Sequence, residues 1–288
     1  MAAAKGNPRG LEGLTGLTGL TGKTVWVVGA AGGLGSRFST LSADSGARLV
    51  LSGGPAEQLA EQAQRFCSAV VVPLDLTDSS SLAPAVEAAD GAFSRVASGV
   101  GAGGVDLLVL NAGISQRALA VDTDLAVLKR LIDIDFVSQA EIARLCARRM
   151  VERGSGTILV VSSLAGVVAS PLRSGYCAAK HAIHGYYNAL RAELAGSGVT
   201  VTIGVPGFVR TDISLNAVTA DGGAYGRMDP NQQGGTAPEV VAHRLLRAAV
   251  AGRREVRLAM GLKGRLAMAL NVVLPGLFAR VIAKARVT

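Results

Sequence analysis

Six short apolar runs restrict this chain more than any other feature. They are TVWVV at Thr24–Val28, ARLVLS at Ala47–Ser52, the run Ala69–Pro73, VDLLVL at Val105–Leu110, Thr157–Val161, and VTVTIGV at Val199–Val205. Their apolar positions are mostly continuous rather than alternating, which suits strands buried on both faces of a parallel sheet. Helical patterns lie between them: one up to about Ser45, then Pro55–Phe66, Ser79–Ser98, Asp124–Arg153 and Gly175–Ala195. A further helix is expected at Pro238–Ala251 and a last strand at Glu255–Ala259. This alternation predicts an α/β fold, one doubly wound parallel sheet in a three-layer αβα single domain. The 288 residues, 49% hydrophobic and 17% charged with 37 glycines, supply a large core with many tight turns and argue against disorder.

In such a sheet the ligand crevice lies at the carboxyl ends of the strands. The first run leads straight into Gly29-Ala30-Ala31-Gly32-Gly33-Leu34-Gly35 and then a helix. A glycine turn there lets the backbone approach a pyrophosphate, and the helix N-terminus offers free N–H groups to the anion. The second run is followed by Gly53 and Gly54, with no acid for a ribose 2′-hydroxyl and no arginine for a 2′-phosphate. Asp75, in Asp75-Leu76-Thr77, suits either an adenine amino group or the cap of a helix starting near Ser79. Asn111-Ala112-Gly113 ends the fourth run with small residues that let a backbone pass close to a flat ligand, and Pro206-Gly207 follows the sixth. The fifth run enters ILVVSSLAGVVASPLRSGYCAAK, residues Ile158–Lys180. Tyr176 and Lys180 there are i and i+4, one turn apart on one helix face. A cation held near a phenol stabilises the phenolate. Ser163, at the strand's exit, can set a second hydroxyl in the same cleft.

Charge and cysteine usage remove other classes. The net charge is +8, and after Glu255 the chain has no acid but carries Arg257, Lys263, Arg265, Arg280, Lys284 and Arg286. With the excess in one tail and aromatics at 4%, nucleic acid is not an expected partner. Cys67, Cys146 and Cys177 form no C-x-x-C pair, so neither a metal site nor a disulfide framework is expected, and a reducing compartment fits. His181 and His184 are expected to be surface or packing residues, and Trp26 and Cys177 core.

Residues 1–22 are expected to form a flexible low-complexity leader, with GLT three times within Gly13–Thr21. They lack the apolar core of a secretory signal, while the single acid Glu12 leaves organelle targeting open. Residues 23–260 form the nucleotide-binding and catalytic domain, and the irregular segment at about 208–236 reads as a lid. Residues 261–288 are a basic, apolar extension. Its uncharged stretch Leu266–Ala279, 14 residues between Arg265 and Arg280, is shorter than the about 20 residues that span a bilayer. An interfacial helix on an anionic membrane fits it, and so does a substrate-pocket wall or a dimer contact.

The ordered set VGAAGGLG (Val28–Gly35), LDLT (Leu74–Thr77), NAG (Asn111–Gly113), VSS (Val161–Ser163), YCAAK (Tyr176–Lys180) and PGFVRT (Pro206–Thr211) resembles the classical short-chain dehydrogenases/reductases, over about Lys23–Glu255. YCAAKHAIHGYYNALRAEL and GRREVRLA, with the basic tail, look most like the membrane-associated member-7-like subgroup. The resemblance implies a Rossmann-type fold and an NAD(P)(H)-dependent oxidoreductase that interconverts a carbonyl and an alcohol. It makes Tyr176 the general acid/base, Lys180 the residue that holds the nicotinamide ribose and acidifies the phenol, and Ser163 the polariser of the carbonyl. Gly29, Gly33, Leu34 and Gly35 would line the pyrophosphate, Asp75 and Leu76 the adenine, and Asn111, Ala112 and Gly113 the adenosine-side ribose. Pro206, Gly207, Val209 and Thr211 would border the nicotinamide. NADP(H) is slightly favoured over NAD(H), because reductases of this subgroup tend to use it. A homodimer or homotetramer is expected, in the cytoplasm or on the cytosolic face of a membrane, and with the tail on a membrane a hydrophobic substrate (steroid, retinoid or lipid-like) follows. Rival readings are a 3-oxoacyl or 3-ketosphinganine reductase, and a catalytically weak cofactor-binding scaffold or sensor.

Three positions depart from the family pattern. Val28 replaces the opening threonine of the glycine motif. Gly53-Gly54 replaces the usual cofactor discriminator, and Arg37 is the nearest base for a 2′-phosphate. Within IDIDFVSQA, Asp135 stands where the family carries a catalytic asparagine that helps hold a proton-relay water. A buried carboxylate there would pair with Lys180 and change the proton balance of the relay.

Overall fold

The computed structural model describes residues 17–93, 103–258 and 261–284. Strands β1 (Thr24–Val28), β2 (Arg48–Ser52), β3 (Ala69–Val71), β4 (Leu107–Leu110), β5 (Gly156–Val161), β6 (Val199–Pro206) and β7 (Glu255–Leu258) lie in the order β3-β2-β1-β4-β5-β6-β7. Every neighbouring pair is parallel. Helices α1 (Gly33–Asp44), α2 (Ala56–Ala63), α3 (Leu82–Gly91), α4 (Leu125–Ile132), α5 (Ser138–Arg153), α6 (Ser174–Glu193), α7 (Pro230–Gln233) and α8 (Pro238–Val250) connect them, and α9 (Gly261–Val273) and α10 (Pro275–Ile282) follow β7.

The pleat divides each strand between two cores. Trp26, Val28, Leu108, Leu110, Ile158 and Val160 face the layer of α3, α5 and α6, where Val86, Ile142, Met150 and Tyr187 meet them. Val25, Val27, Leu49, Leu51, Val109 and Leu159 face Phe38 of α1, Leu59 of α2 and Leu245 of α8. Burying a side chain of this size contributes about 1.5–3 kcal/mol, so these layers hold the sheet. This is the predicted Rossmann-type, doubly wound three-layer architecture. The strand order runs outward in both directions from β1 and β4, so the crevice for a ligand opens between their carboxyl ends.

Several local expectations change. Leu17 and Leu20 are buried in the second core, and the Leu17 N–H donates to Ser45 Oγ at 3.1 Å, so residues 17–22 are packed rather than a flexible leader. Residues 1–16 lie outside the described residues. The helix expected at Ser79–Ser98 begins as a 3-10 turn, Ser79–Ser81, and continues as α3, with residues 94–98 outside the description. Asp78, not Asp75, caps that turn through the Ser80 N–H at 2.9 Å. The single helix expected at Asp124–Arg153 is broken by a π-helical turn, Asp133–Val137, that carries Asp135. α5 stops at Gly154, whose φ of 69° is the left-handed stop that glycine accepts readily. The uncharged tail stretch is bent at Leu274-Pro275 into two helices, with Asn271 Nδ2 donating to the Val167 carbonyl at 3.3 Å.

The connection from β6 to α8 is pinned by a buried ionic triad. Asp229 Oδ2 accepts from Arg173 at 2.7 Å and from Arg117 at 3.3 Å, and Asp229 also caps α7 through the Asn231 N–H. Gln232, within α7, donates to the Val209 carbonyl at 2.7 Å. The triad therefore joins the proposed lid to the loop after β4 and to the start of α6. Removing one partner of a buried ion pair strands the other charge away from water. Asp229→Ala is expected to lower the unfolding free energy by about 3–5 kcal/mol, read by urea denaturation; a loss below about 1 kcal/mol would mean that solvent reaches the arginines.

Candidate active site

The glycine turn crosses the end of β4 at contact distance. Gly29 has φ +85°, and a methyl there would stand 2.6 Å from both the N and Cα of Ala112. Asn111 Nδ2 donates to the Gly29 carbonyl at 3.1 Å and ties the two strand ends. α1 then starts at Gly33 with no side-chain cap and no acid in its first turn. Its leading N–H groups and positive dipole end are thus left to an external anion, which fits a dinucleotide pyrophosphate. A Cβ at Gly33 would lie 3.0 Å from Thr211 Cγ2, so the turn packs directly against Thr211 at the end of the Pro206–Thr211 segment.

The adenosine side is less committed. Asp75 accepts from the Thr77 N–H at 2.8 Å and from Thr77 Oγ1 at 2.7 Å, and these bonds hold its carboxyl below the ordinary aspartate range. Asp75 is thus an exposed turn carboxylate with acceptor capacity to spare. Gly53 and Gly54 both have positive φ, and Arg37 pairs with Glu239 at 2.9 Å rather than facing them.

The reacting side is built on α6. Its N-terminus has no side-chain cap from its own residues; instead Gln116, from the loop after β4, accepts from the Gly175 N–H at 2.8 Å. Tyr176, next in sequence, is 7% exposed and packs with Cys177 and with Ala165, two residues beyond Ser163. Ser163 caps a 3-10 turn, its Oγ accepting from the Ala165 N–H at 3.2 Å. Lys180 Nζ lies 5.7 Å from the Tyr176 ring centroid and donates to the Val161 carbonyl at 3.3 Å. Ser163, Tyr176 and Lys180 are therefore brought to one edge, beside Gly113.

Asp135 enters the same cluster. Its Oδ2 is 3.3 Å from Lys180 Nζ, and both side chains are almost wholly buried. Its Oδ1 accepts from the Ile114 N–H at 2.8 Å. Burial pushes the Asp135 carboxyl above the ordinary range, with Lys180 and then the Ile114 N–H opposing it. A methyl at Gly113 would stand 2.9 Å from Asp135 Oδ2 and 3.2 Å from Lys180 Nζ, so glycine is needed for the loop to close on the pair.

Three contributors had no sequence signal. Gln116 acts across 59 residues. Gln139, fully buried, donates to the Ala112 and Ile134 carbonyls and locks the π turn to the loop after β4. His184, expected to be a packing residue, sits 3.1 Å from Ser162 Oγ and 3.6 Å from Glu255 Oε2. Burial lowers its basicity, with Glu255 opposing.

Comparison with known proteins agrees with this arrangement. Residues 23–221 match the short chain dehydrogenase family. The chain is 36% identical over 249 residues to Dehydrogenase/reductase SDR family member 7B of Bos taurus, covering 83% of this chain and 74% of that protein. It is 38% identical over 186 residues to member 7 of Mus musculus, covering 61% of this chain and 52% of that protein. A solved short chain dehydrogenase/reductase family protein superposes with a TM-score of 0.68 at 26% identity, over 83% of this chain and 96% of that one. A short-chain dehydrogenase from Streptomyces avermitilis shares the fold with a TM-score of 0.72 at 24% identity, over 91% of this chain and 96% of that one. On this sequence match and these shared elements, the chain belongs to the short-chain dehydrogenase/reductase family of oxidoreductases, as a protein similar to its members 7 and 7B.

Proposed function

We propose that this oxidoreductase interconverts a carbonyl and an alcohol on a hydrophobic substrate of steroid, retinoid or lipid type. The observation that carries the reading is the buried Tyr176–Lys180 pair, joined through Gly113 and Ala112 to the uncapped N-terminus of α1. A bound nicotinamide dinucleotide supplies the hydride in one direction and accepts it in the other. Gly29, Gly33, Leu34 and Gly35 would hold its pyrophosphate, Asp75 and Leu76 its adenine, Asn111, Ala112 and Gly113 its adenosine ribose, and Pro206, Gly207, Val209 and Thr211 the nicotinamide. NADP(H) is slightly favoured over NAD(H) because reductases of the resembled subgroup tend to use it, while Gly53 and Gly54 offer neither an acid nor an arginine to discriminate.

In reduction the Tyr176 hydroxyl donates its proton to the substrate oxygen, and in oxidation the phenolate takes it back. The Ser163 hydroxyl donates a hydrogen bond to the same oxygen, and the Lys180 ammonium stabilises the phenolate. The contact between Asp135 and Lys180 supports a second reading, a protein that binds the dinucleotide without turnover.

The hydrophobic substrate and a membrane contact are proposed from the tail helices. Leu262, Leu266, Val272, Val273, Leu277 and Val281 are exposed on α9 and α10, with Arg265 and Arg280 beside them. Asn271 meets Val167, four residues beyond Ser163, so α9 runs beside the segment that follows Ser163. Among the described residues no helix is long and apolar enough to cross a membrane. We assign the face to the surface of an anionic leaflet, where apolar side chains enter and arginines meet headgroups.

Tyr176→Phe is expected to lower kcat on a reactive carbonyl by about 10²–10⁴-fold while cofactor fluorescence quenching is unchanged. Quenching without turnover by the unaltered protein, across aliphatic and aromatic carbonyls, would support the second reading. The protein is expected to sediment with phosphatidylcholine vesicles that contain phosphatidylserine, and to be released as salt is raised from about 0.1 to 1 M. Failure to bind them would return the face to a dimer contact or a pocket wall.

A further inference from the structure

We infer that Asp135 is a positioning residue that acts through Lys180: a resident counter-ion that biases the site toward carbonyl reduction. The inference rests on the proposed roles of Tyr176 and Lys180. It starts from a carboxylate with no route to solvent, 0% exposed, 3.3 Å from an ammonium that is itself 4% exposed. Three features build this contact. The π turn of Asp133–Val137 carries the side chain, the Ile114 N–H holds Oδ1, and Gly113 leaves room for Oδ2 beside Nζ. Oδ2 accepts no well-aligned hydrogen bond, so the contact is charge against charge.

The consequence follows from where the charges lie. Lys180 faces the Tyr176 ring from one turn away, and Asp135 faces Lys180. The elements packed on the pair are the loop after β4, which offers the neutral Ile114 N–H and Gly113, the end of β5, which offers the Val161 carbonyl, and α6 itself. The charged group acting on Asp135 is Lys180. An ammonium alone pulls a neighbouring phenol toward phenolate; an ammonium with a carboxylate against it pulls less. The pull of Lys180 on the phenol is thereby weakened in favour of the hydroxyl form.

That form is the one reduction consumes. In reduction the C=O π bond breaks, the carbon gains a hydride with its electron pair from the reduced nicotinamide, and the oxygen gains the Tyr176 proton. Oxidation reverses each transfer and needs the phenolate. Below the titration of Asp135 the carboxyl is neutral and the compensation is lost. Burial raises that point and Lys180 opposes the rise.

The test is ultraviolet titration of tyrosinate in the cofactor-free protein, with the Tyr176→Phe protein subtracted to isolate Tyr176. In Asp135→Asn the Tyr176 band is expected to grow in about one pH unit lower. Asp135→Ala should move it the same way, which covers a failure of the asparagine variant to fold. With substrate, the acid limb of oxidation and the alkaline limb of reduction should both move down by the same amount. A tyrosinate band that stays in place in both variants, or moves up, overturns the inference. If no carbonyl is turned over, the functional reading fails, while the tyrosinate titration still decides the Asp135–Lys180 coupling.

Discussion

Where β1 and β4 end, two backbones approach until no side chain fits between them. Gly29 lies against Ala112, and Asn111 bonds across the gap to the Gly29 carbonyl. One residue on, Gly113 lies against Asp135 and Lys180. The anion-receptive turn and the phenol–ammonium pair are therefore linked by a few residues of close-packed backbone rather than by flexible side chains. Close-packed interiors transmit small displacements, so the two halves of the cleft keep a common reference.

The site also concentrates charge that folding alone would not select. Lys180 and Asp135 share one buried pocket, and Arg117, Arg173 and Asp229 share another with a residual positive charge. Desolvating such groups costs more than apolar residues of equal size would. The triad ties the β6–α8 connection to the loop after β4 and to the start of α6, while the Asp135–Lys180 pair stands behind Tyr176. Arg117, its side chain 2% exposed, is held below its ordinary basicity by burial first and by Arg173 second.

Much of the fold was legible because strands buried on both faces read as uninterrupted apolar runs, and β1, β4, β5 and β6 fall within a residue or two of where the runs place them. The candidate site residues were legible for a topological reason: parallel strands send every carboxyl end to one edge, so Gly29, Asp75, Asn111, Ser163 and Pro206 cluster without being neighbours in sequence. What was not legible depends on partners brought from far away. Leu17 and Leu20 read as low complexity because their burial is decided by the groove they enter, not by their own pattern. The π turn leaves no mark in the helical periodicity, since a single wide turn shifts the register by less than the pattern resolves. By sequence Asp75 is a candidate for adenine or for the cap, and only the backbone path gives the cap to Asp78.

The helix that carries Tyr176 does not anchor its own beginning; its Gly175 N–H is held by Gln116 of the loop after β4. The height of the phenol above the sheet is thus measured from a different strand than the one its helix follows. The β6–α8 connection meets the start of α6 through the Asp229–Arg173 ion pair. A residue gained or lost between Asn111 and Gln116 would shift the ruler itself. The loop after β4 is thus the gauge for where Tyr176 stands.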